Sequence, residues 1–242
     1  DKNNPNSLRD DYITNVFQVS EHNLWIGPTH VGLNLFNRES KTVTRFQHDD
    51  KENTSLSYNN VYTIFEDSKH RLWIGTDGGG LNLFDKTTGN FIQYKNDVHN
   101  VNSLPNNQVY SIQEDNYHNL WIGTENGGLC IFNPEKNIFD DYKHDELDNA
   151  SIGSNSIYAI YKDTKGNMWV GSVTGGIDFL NADNKFEHYK HDSSPNSLSD
   201  NLVLCIYEDS KQNIWIGTDG GGLNLFNPET GKFTHLLHQD GN

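Results

Sequence analysis

Four aspartates recur at one place in the sequence, Asp67, Asp115, Asp163 and Asp209, each six residues before a tryptophan. An aspartate in such a position can accept backbone N–H groups of its own turn, or it can bind calcium. DTKGN and DSKQN lack the clustered acids of a calcium loop, and the first copy carries Val19 instead, so a turn-forming role is expected. The glycine run DGGG at 77–80 and 219–222 invites a phosphate-cradle reading. Phosphate cradles precede a helix and carry a Lys-Ser/Thr pair, whereas these glycines lead into strand-like LNLF, so a hairpin turn is expected. His48, His144, His191 and His238 also recur. They fall beyond the last strand of each unit, ~14 Å outside the first at ~4.8 Å per strand. Equivalent positions in adjacent units are then on the order of 20 Å apart, too far to share a metal with ligands at ~2 Å. They read as a solvated edge, and no metal or cofactor is expected.

These residues repeat because the whole chain repeats. The twelve letters WIGTDGGGLNLF stand at 73–84 and again at 215–226. Trp25, Trp73, Trp121, Trp169 and Trp215 are spaced by 48, 48, 48 and 46 residues. A Ser-Leu or Ser-Ile pair keeps the same beat at Ser7, Ser55, Ser103, Ser151 and Ser197. Within one copy, VYTIFED, LWIGT, LNLF and FIQYK are β-branched or aromatic and are separated by polar or glycine turns. Four short strands in an antiparallel meander follow, with a polar connection of about a dozen residues to the next copy. In LWIGT, Leu72 and Ile74 point one way and Trp73 the other, so both faces must be covered. Like sheets stacked face to face about an axis satisfy this, which predicts a β-propeller of five four-stranded antiparallel blades, a closed ring or part of a larger propeller. The blades fall at about 3–51, 52–100, 101–148, 149–195 and 196–242. Asn15, Thr63, Ser111, Ala159 and Cys205 mark a small position in the first strand, as expected where blades crowd near an axis.

Composition limits the function classes. The 242 residues include 33% hydrophobic ones, 21 glycines, and five Trp, eleven Tyr and twelve Phe, which suits a strand-and-turn domain rather than a disordered chain. A net charge of −15 without a basic run opposes nucleic acid and anionic membrane surfaces as partners. No apolar run approaches the roughly 20 residues of a membrane helix. With its single methionine at Met168, the sequence reads as a mature or excised segment. Cys130 and Cys205 sit in apolar runs and are expected to be buried, inert thiols.

Repeated residues build the scaffold, so ligand contacts are expected where the copies differ. The turns between second and third strands read PTHVG, DGGG, ENGG, VTGG and DGGG. Thr29, His30, Asp77, Glu125, Asn126, Thr174 and Asp219 are the candidate ligand contacts, and the five tryptophans are structural anchors.

The string WIGT-x-GGGLN-x-F, preceded by I-x-ED-x(4)-[LI]-W, resembles the two-component regulator propeller repeat and recurs over essentially the whole chain. The resemblance implies a periplasmic sensor region of an inner-membrane hybrid histidine kinase, often one regulating the use of complex glycans. It further implies an oligosaccharide or other small polar ligand. Neighbouring propeller or signalling domains, or a second copy in a homo-oligomer, are the implied partners. Members usually carry a longer tandem of repeats, a small β-sandwich, a membrane helix and the kinase. Here there are five repeats, nothing resembles a kinase core, and the ends lie within the inter-blade connection. A non-catalytic, ligand-sensing role is the expectation. A protein-interaction scaffold and a propeller lyase using His30 are the alternatives, the second lacking an evident Lys or Arg partner.

Overall fold

The computed structural model describes residues 7–8, 10–18, 21–180, 185–228 and 230–236; Val19 and His238 lie outside them. Among the described residues there are twenty strands and no helix. Blade one comprises Ile13–Gln18, Asn23–Pro28, Leu33–Asn37 and Thr42–Phe46, and blade two Val61–Glu66, Leu72–Thr76, Gly80–Phe84 and Phe91–Tyr94. Blade three comprises Val109–Glu114, Leu120–Thr124, Gly128–Asn133 and Ile138–Tyr142. Blade four comprises Ile157–Lys162, Met168–Ser172, Ile177–Leu180 and Phe186–Tyr189, and blade five Val203–Glu208, Ile214–Thr218, Gly222–Asn227 and Lys232–Leu236. Each sheet has its four strands in sequence order, so the fold is an all-β propeller architecture of five antiparallel blades. The chain divides into two compact units, one ending at Ile112 and the other beginning at Gln113.

The second strand is buried on both faces, as its apolar alternation requires. Every residue of LWIGT in blades two and three, and of MWVGS in blade four, is buried. Trp73 is 0% exposed. Between blades one and two, Trp25 meets Phe84 edge-on at 5.2 Å; between blades four and five, Trp169 meets Phe226 at 5.4 Å. Each such indole takes ~150–250 Å² from water, worth roughly 4–6 kcal/mol gross.

The small position of the first strand has a specific partner. Thr63 lies opposite Gly75, Ala159 opposite Gly171, and Cys205 opposite Gly217. The small residue and the glycine leave a notch, and in blades two and four a valine of the next blade fills it. A Cβ on Gly75 would stand 2.6 Å from Thr63 Cγ2 and 2.6 Å from Val109 Cγ1; on Gly171 it would stand 2.5 Å from Val203 Cγ1. First strands of blades one and two, and of four and five, therefore lie side by side, which makes the first strand the inner one. The residue just before the small position is bulged out of register in blades one, two, four and five: Thr14, Tyr62, Tyr158 and Leu204.

Two expectations are corrected. Cys130 is buried, and burial pushes its thiol well above the ordinary range, with the Asp141 carboxylate adding to the effect. Cys205, by contrast, is exposed, together with Leu204 and Tyr207. Its Sγ is the one described neighbour a Cβ on Gly217 would meet, whereas a valine seats over the matching glycine of blades one, two and four. The histidine edge is also more than solvated. His48, His144 and His191 donate through Nδ1 to the carbonyls of Leu56, Ile152 and Leu198 at 2.9, 2.8 and 2.7 Å. They tie the connection down over the apolar residue of the Ser-Leu marker, which is 0–1% exposed in Leu56, Leu104, Ile152 and Leu198.

Candidate functional site

At the lower end of blades two to five, where first strand turns into second, the recurrent aspartate accepts four hydrogen bonds. Asp163 takes the backbone N–H of Lys165 and Asn167 at 3.0 and 2.8 Å and the Asn167 side-chain amide at 2.8 Å. The fourth donor is the indole N–H of Trp169, at 3.0 Å. Trp73, Trp121 and Trp215 reach Asp67, Asp115 and Asp209 in the same way, at 2.8, 3.2 and 2.9 Å. Burial pushes the Asp67 carboxyl up, but the bonds from the Trp73 indole and from Arg71 outweigh it and hold it below the ordinary range. Asp209 is held well below that range by its bonds from Trp215 and Asn213. The expected turn role is thus present, and the indole bond is an additional one that turn chemistry alone did not indicate. A cleft of about 200 Å³ opens at this end, lined by Trp169, Phe179, Tyr189 and Phe226. Within it Asp163 accepts the Trp169 indole and Glu208 accepts the Thr164 N–H and hydroxyl, so the cleft follows the seam between blades four and five.

At the upper end, the hairpin between second and third strands docks on the connection leading to the next blade. A repeated contact fixes the docking: the N–H of Gly32, Gly80, Gly128 and Gly176 donates to the carbonyl of Asn59, Asn107, Asn155 and Asn201, at 2.8–3.1 Å. These glycines have φ of 78, 84, 84 and 72°, the left-handed region, which reserves the position for glycine. The asparagine side chains accept the N–H of the residue just past the fourth strand, His48, Asn96, His144 and His191, at 2.7–2.8 Å.

The residue after each repeated asparagine varies, and it meets the candidate contacts. In the first unit, His30 Nδ1 donates to Asn60 Oδ1 at 3.1 Å. Asn60 Nδ2 in turn lies 3.5 Å from Asp77 Oδ2, which also accepts the Tyr62 hydroxyl at 3.1 Å. Asp77 Oδ1 accepts Gln108 Nε2 at 2.9 Å. The rings of Tyr62 and Tyr110 lie 4.9 Å apart. The structure therefore joins His30 and Asp77 into one network, with a tyrosine pair on the inner strands beside it. Thr29 stands apart from that network, donating to Asp10 Oδ2 at 3.2 Å.

In the second unit, Asn126 and Thr174 converge on a single connection. The Asn126 N–H donates to Ser156 Oγ at 3.1 Å, and Thr174 Oγ1 lies 3.0 Å from Ser154 Oγ. Glu125 Oε1 accepts from Asn126 Nδ2 at 3.3 Å, while its Oε2 is buried with no hydrogen-bond partner among the described residues. The Asp219 N–H donates to the Leu202 carbonyl at 2.9 Å. Asn60, Tyr62, Gln108, Ser154 and Ser156 were not among the expected contacts. For Asn60, Gln108 and Ser156 the signal is the variable letter that follows a repeated Asn, in NNVY, NQVY, NSIY and NLVL. Among the described residues no cluster of His, Cys, Asp and Glu is placed to hold a metal ion, and no helix is long and apolar enough to cross a membrane.

The two-component regulator propeller family model matches residues 55–78, 103–126, 151–174 and 197–220, each match running from the Ser-Leu marker to the upper hairpin turn. No match was found among curated proteins. Among solved structures, the extracellular domain of a putative hybrid two-component system from B. thetaiotaomicron is similar, with 26% identity and a TM-score of 0.66 over 90% of this chain and 34% of that one. The extracellular domain of a putative one-component system from B. thetaiotaomicron is similar at 27% identity and a TM-score of 0.71, over 90% of this chain and 28% of that one. PorZ, a bacterial surface component of the type-IX secretion system of Porphyromonas gingivalis, shares the fold at 18% identity and a TM-score of 0.68, over 95% of this chain and 34% of that one. The chain thus spans about a third of the length of the structures it matches. Four of its five blades therefore carry a stretch that matches the two-component regulator propeller repeat, within an all-β propeller architecture.

Proposed function

We propose that this chain is a non-catalytic, ligand-sensing part of the periplasmic region of a bacterial two-component signalling protein, and that it reads a neutral, hydroxyl-rich ligand such as an oligosaccharide. The observation that carries the reading is the His30–Asn60–Asp77–Gln108 network with Tyr62 and Tyr110 beside it. Carboxylate, amide and imidazole groups supply the mixed donors and acceptors that hydroxyls need, and tyrosine rings supply apolar faces for a sugar ring. The negative charge of the chain disfavours an anionic ligand. Likeness to extracellular domains of two-component systems supports the signalling setting. Binding would shift how the propeller docks on a neighbouring signalling domain or a second copy, because the upper hairpins and the inter-blade connections are bonded to one another.

The test is calorimetric titration of the purified chain against neutral oligosaccharides, beside Asp77→Asn and Gln108→Ala. The reading expects saturable binding that weakens at least tenfold in both variants, about 1.4 kcal/mol. Silence from all sugars, or binding indifferent to both substitutions, overturns it.

A further inference from the structure

The middle position of the third strand is Asn34, Asn82 and Asn224 in blades one, two and five, Cys130 in blade three, and Asp178 in blade four. In blades two and five the buried asparagine makes a matched pair of bonds to the connection. Its oxygen accepts the N–H of Ser57 or Ser199 at 3.0 Å, and its amide donates to that serine's hydroxyl at 2.7 or 2.8 Å. In blade four the serine is Gly153, and the amide donor is gone. Asp178 Oδ2 accepts the Gly153 N–H at 2.8 Å, and the side chain is fully buried. A buried carboxylate needs further donors. His188, opposite it on the fourth strand, supplies one: Nδ1 lies 2.6 Å from Asp178 Oδ1. The other ring nitrogen, Nε2, lies 3.0 Å from the carbonyl of Asn149.

Both neighbours of the ring are acceptors. Making both bonds therefore requires the Asp178–His188 pair to hold one proton more than a carboxylate and a neutral imidazole hold. Gln93 and His235, at the same position in blades two and five, also reach carbonyls of their connections, Ser55 at 2.8 Å and Ser197 at 2.6 Å, but from opposite Asn82 and Asn224 rather than a carboxylate.

We propose that His188, clamped between Asp178 and the Asn149 carbonyl, is a proton-operated latch on the connection between blades three and four. With the proton in place, that connection is pinned at Asn149 and Gly153. The pins lie just ahead of Ser154 and Ser156, which hold the Thr174 and Asn126 hairpins. Loss of the proton leaves one N–H for two acceptors. The buried Asp178 keeps it, because an unpaired buried carboxylate costs more than a carbonyl at the surface, and Asn149 is released. The charged groups acting on the ring are Asp178 on the adjacent strand, which favours the cation, and Lys190 just past the end of the ring's own strand, which opposes it. The connection presents the Asn149 carbonyl, with Asp148 next to it in sequence. The hydrogen bond that the ring donates to Asp178 raises the His188 value above the ordinary one, against the pull of burial. The latch is therefore fully engaged below about pH 6.5 and is lost as pH rises through the higher folded value.

The test needs no ligand, so it stands or falls apart from the proposed function. Imidazole nitrogen shifts of His188 and amide hydrogen-exchange protection factors across Asn149–Ser156 are followed from pH 5.5 to 8.5 in the whole chain, with His188→Gln and Asp178→Asn beside it. The latch expects His188 to titrate above about pH 6.5, with both nitrogens protonated below that point. Protection at Asn149–Gly153 should fall several-fold over the same pH interval. His188→Gln should show protection that does not change with pH, and Asp178→Asn should return His188 to ordinary titration. Protection that is flat with pH in the parent chain overturns the proposal, as does an ordinary His188 titration, or an Asp178→Asn chain that still switches at the parent pH.

Discussion

At the lower end of blades two to five an aspartate closes its own turn and takes the indole N–H of its own tryptophan, by nearly the same four bonds each time. At the upper end a glycine and an asparagine repeat, but the side chains around them form a different network in each blade. The bonds to the aspartate are all made within one blade, so blades two to five can make them alike. The upper end joins one blade to the next, and once the Gly–Asn contact fixes its backbone, the adjoining side chains are free to vary. That division separates the residues that hold the blades from those to which the proposed function assigns the ligand.

The largest effect should come from the packing that the repeats share. Trp73→Ala removes a fully buried indole and should cost about 3–5 kcal/mol, read as the shift in urea midpoint at constant slope. A loss below about 1 kcal/mol would mean that the blades do not wedge on their tryptophans. Next, Asp67→Ala removes the carboxylate that accepts the buried Trp73 N–H, the Arg71 guanidinium and two turn amides, and should cost about 2–3 kcal/mol near neutral pH. The Asp67 value is depressed in the fold, so its contribution is present above about pH 3.9 and disappears as pH falls through the lower folded value. Acid unfolding curves of the variant and the parent should therefore converge at low pH.

A smaller effect is expected where upper end and scaffold meet. Asn107→Ala removes the acceptor of the Asn96 N–H and should cost about 1–2 kcal/mol, with exchange of the Asn96 amide speeding up before any other. The smallest belongs to the variable letters: His30→Ala should leave stability within about 0.5 kcal/mol while weakening oligosaccharide binding. If His30→Ala destabilised the chain as much as Asn107→Ala, the upper network would be scaffold too.

Blade number, strand order and the two-faced burial of LWIGT were legible because Trp spacing and two-residue alternation are properties of the chain itself. The small position was legible as well, though its reason is a specific pairing, Thr63 on Gly75 beneath Val109, that needs two blades in place. The Asp–Trp bond was written in the constant six-residue interval, yet strand alternation assigns faces and does not say that an indole N–H reaches back over the turn. His30 and Asp77 were found because their loops differ between copies. Asn60 and Gln108 were missed because they sit beside the most repetitive part of the connection. Cys205 was misjudged because local apolarity speaks for burial only when a neighbouring blade supplies the cover. The exchange of Asn for Asp178 is a one-letter difference whose meaning depends on His188, ten residues away in sequence and directly opposite on the next strand.

The division between the two ends is tested most directly by amide chemical-shift mapping of the labelled chain titrated with the oligosaccharide that binds best in calorimetry. The account predicts that shifts concentrate at His30, Asn60, Tyr62, Asp77, Gln108 and Tyr110, with the turns at Asp67, Asp115, Asp163 and Asp209 unmoved. Shifts centred on the aspartate turns, or on the cleft lined by Trp169 and Phe226, would contradict it.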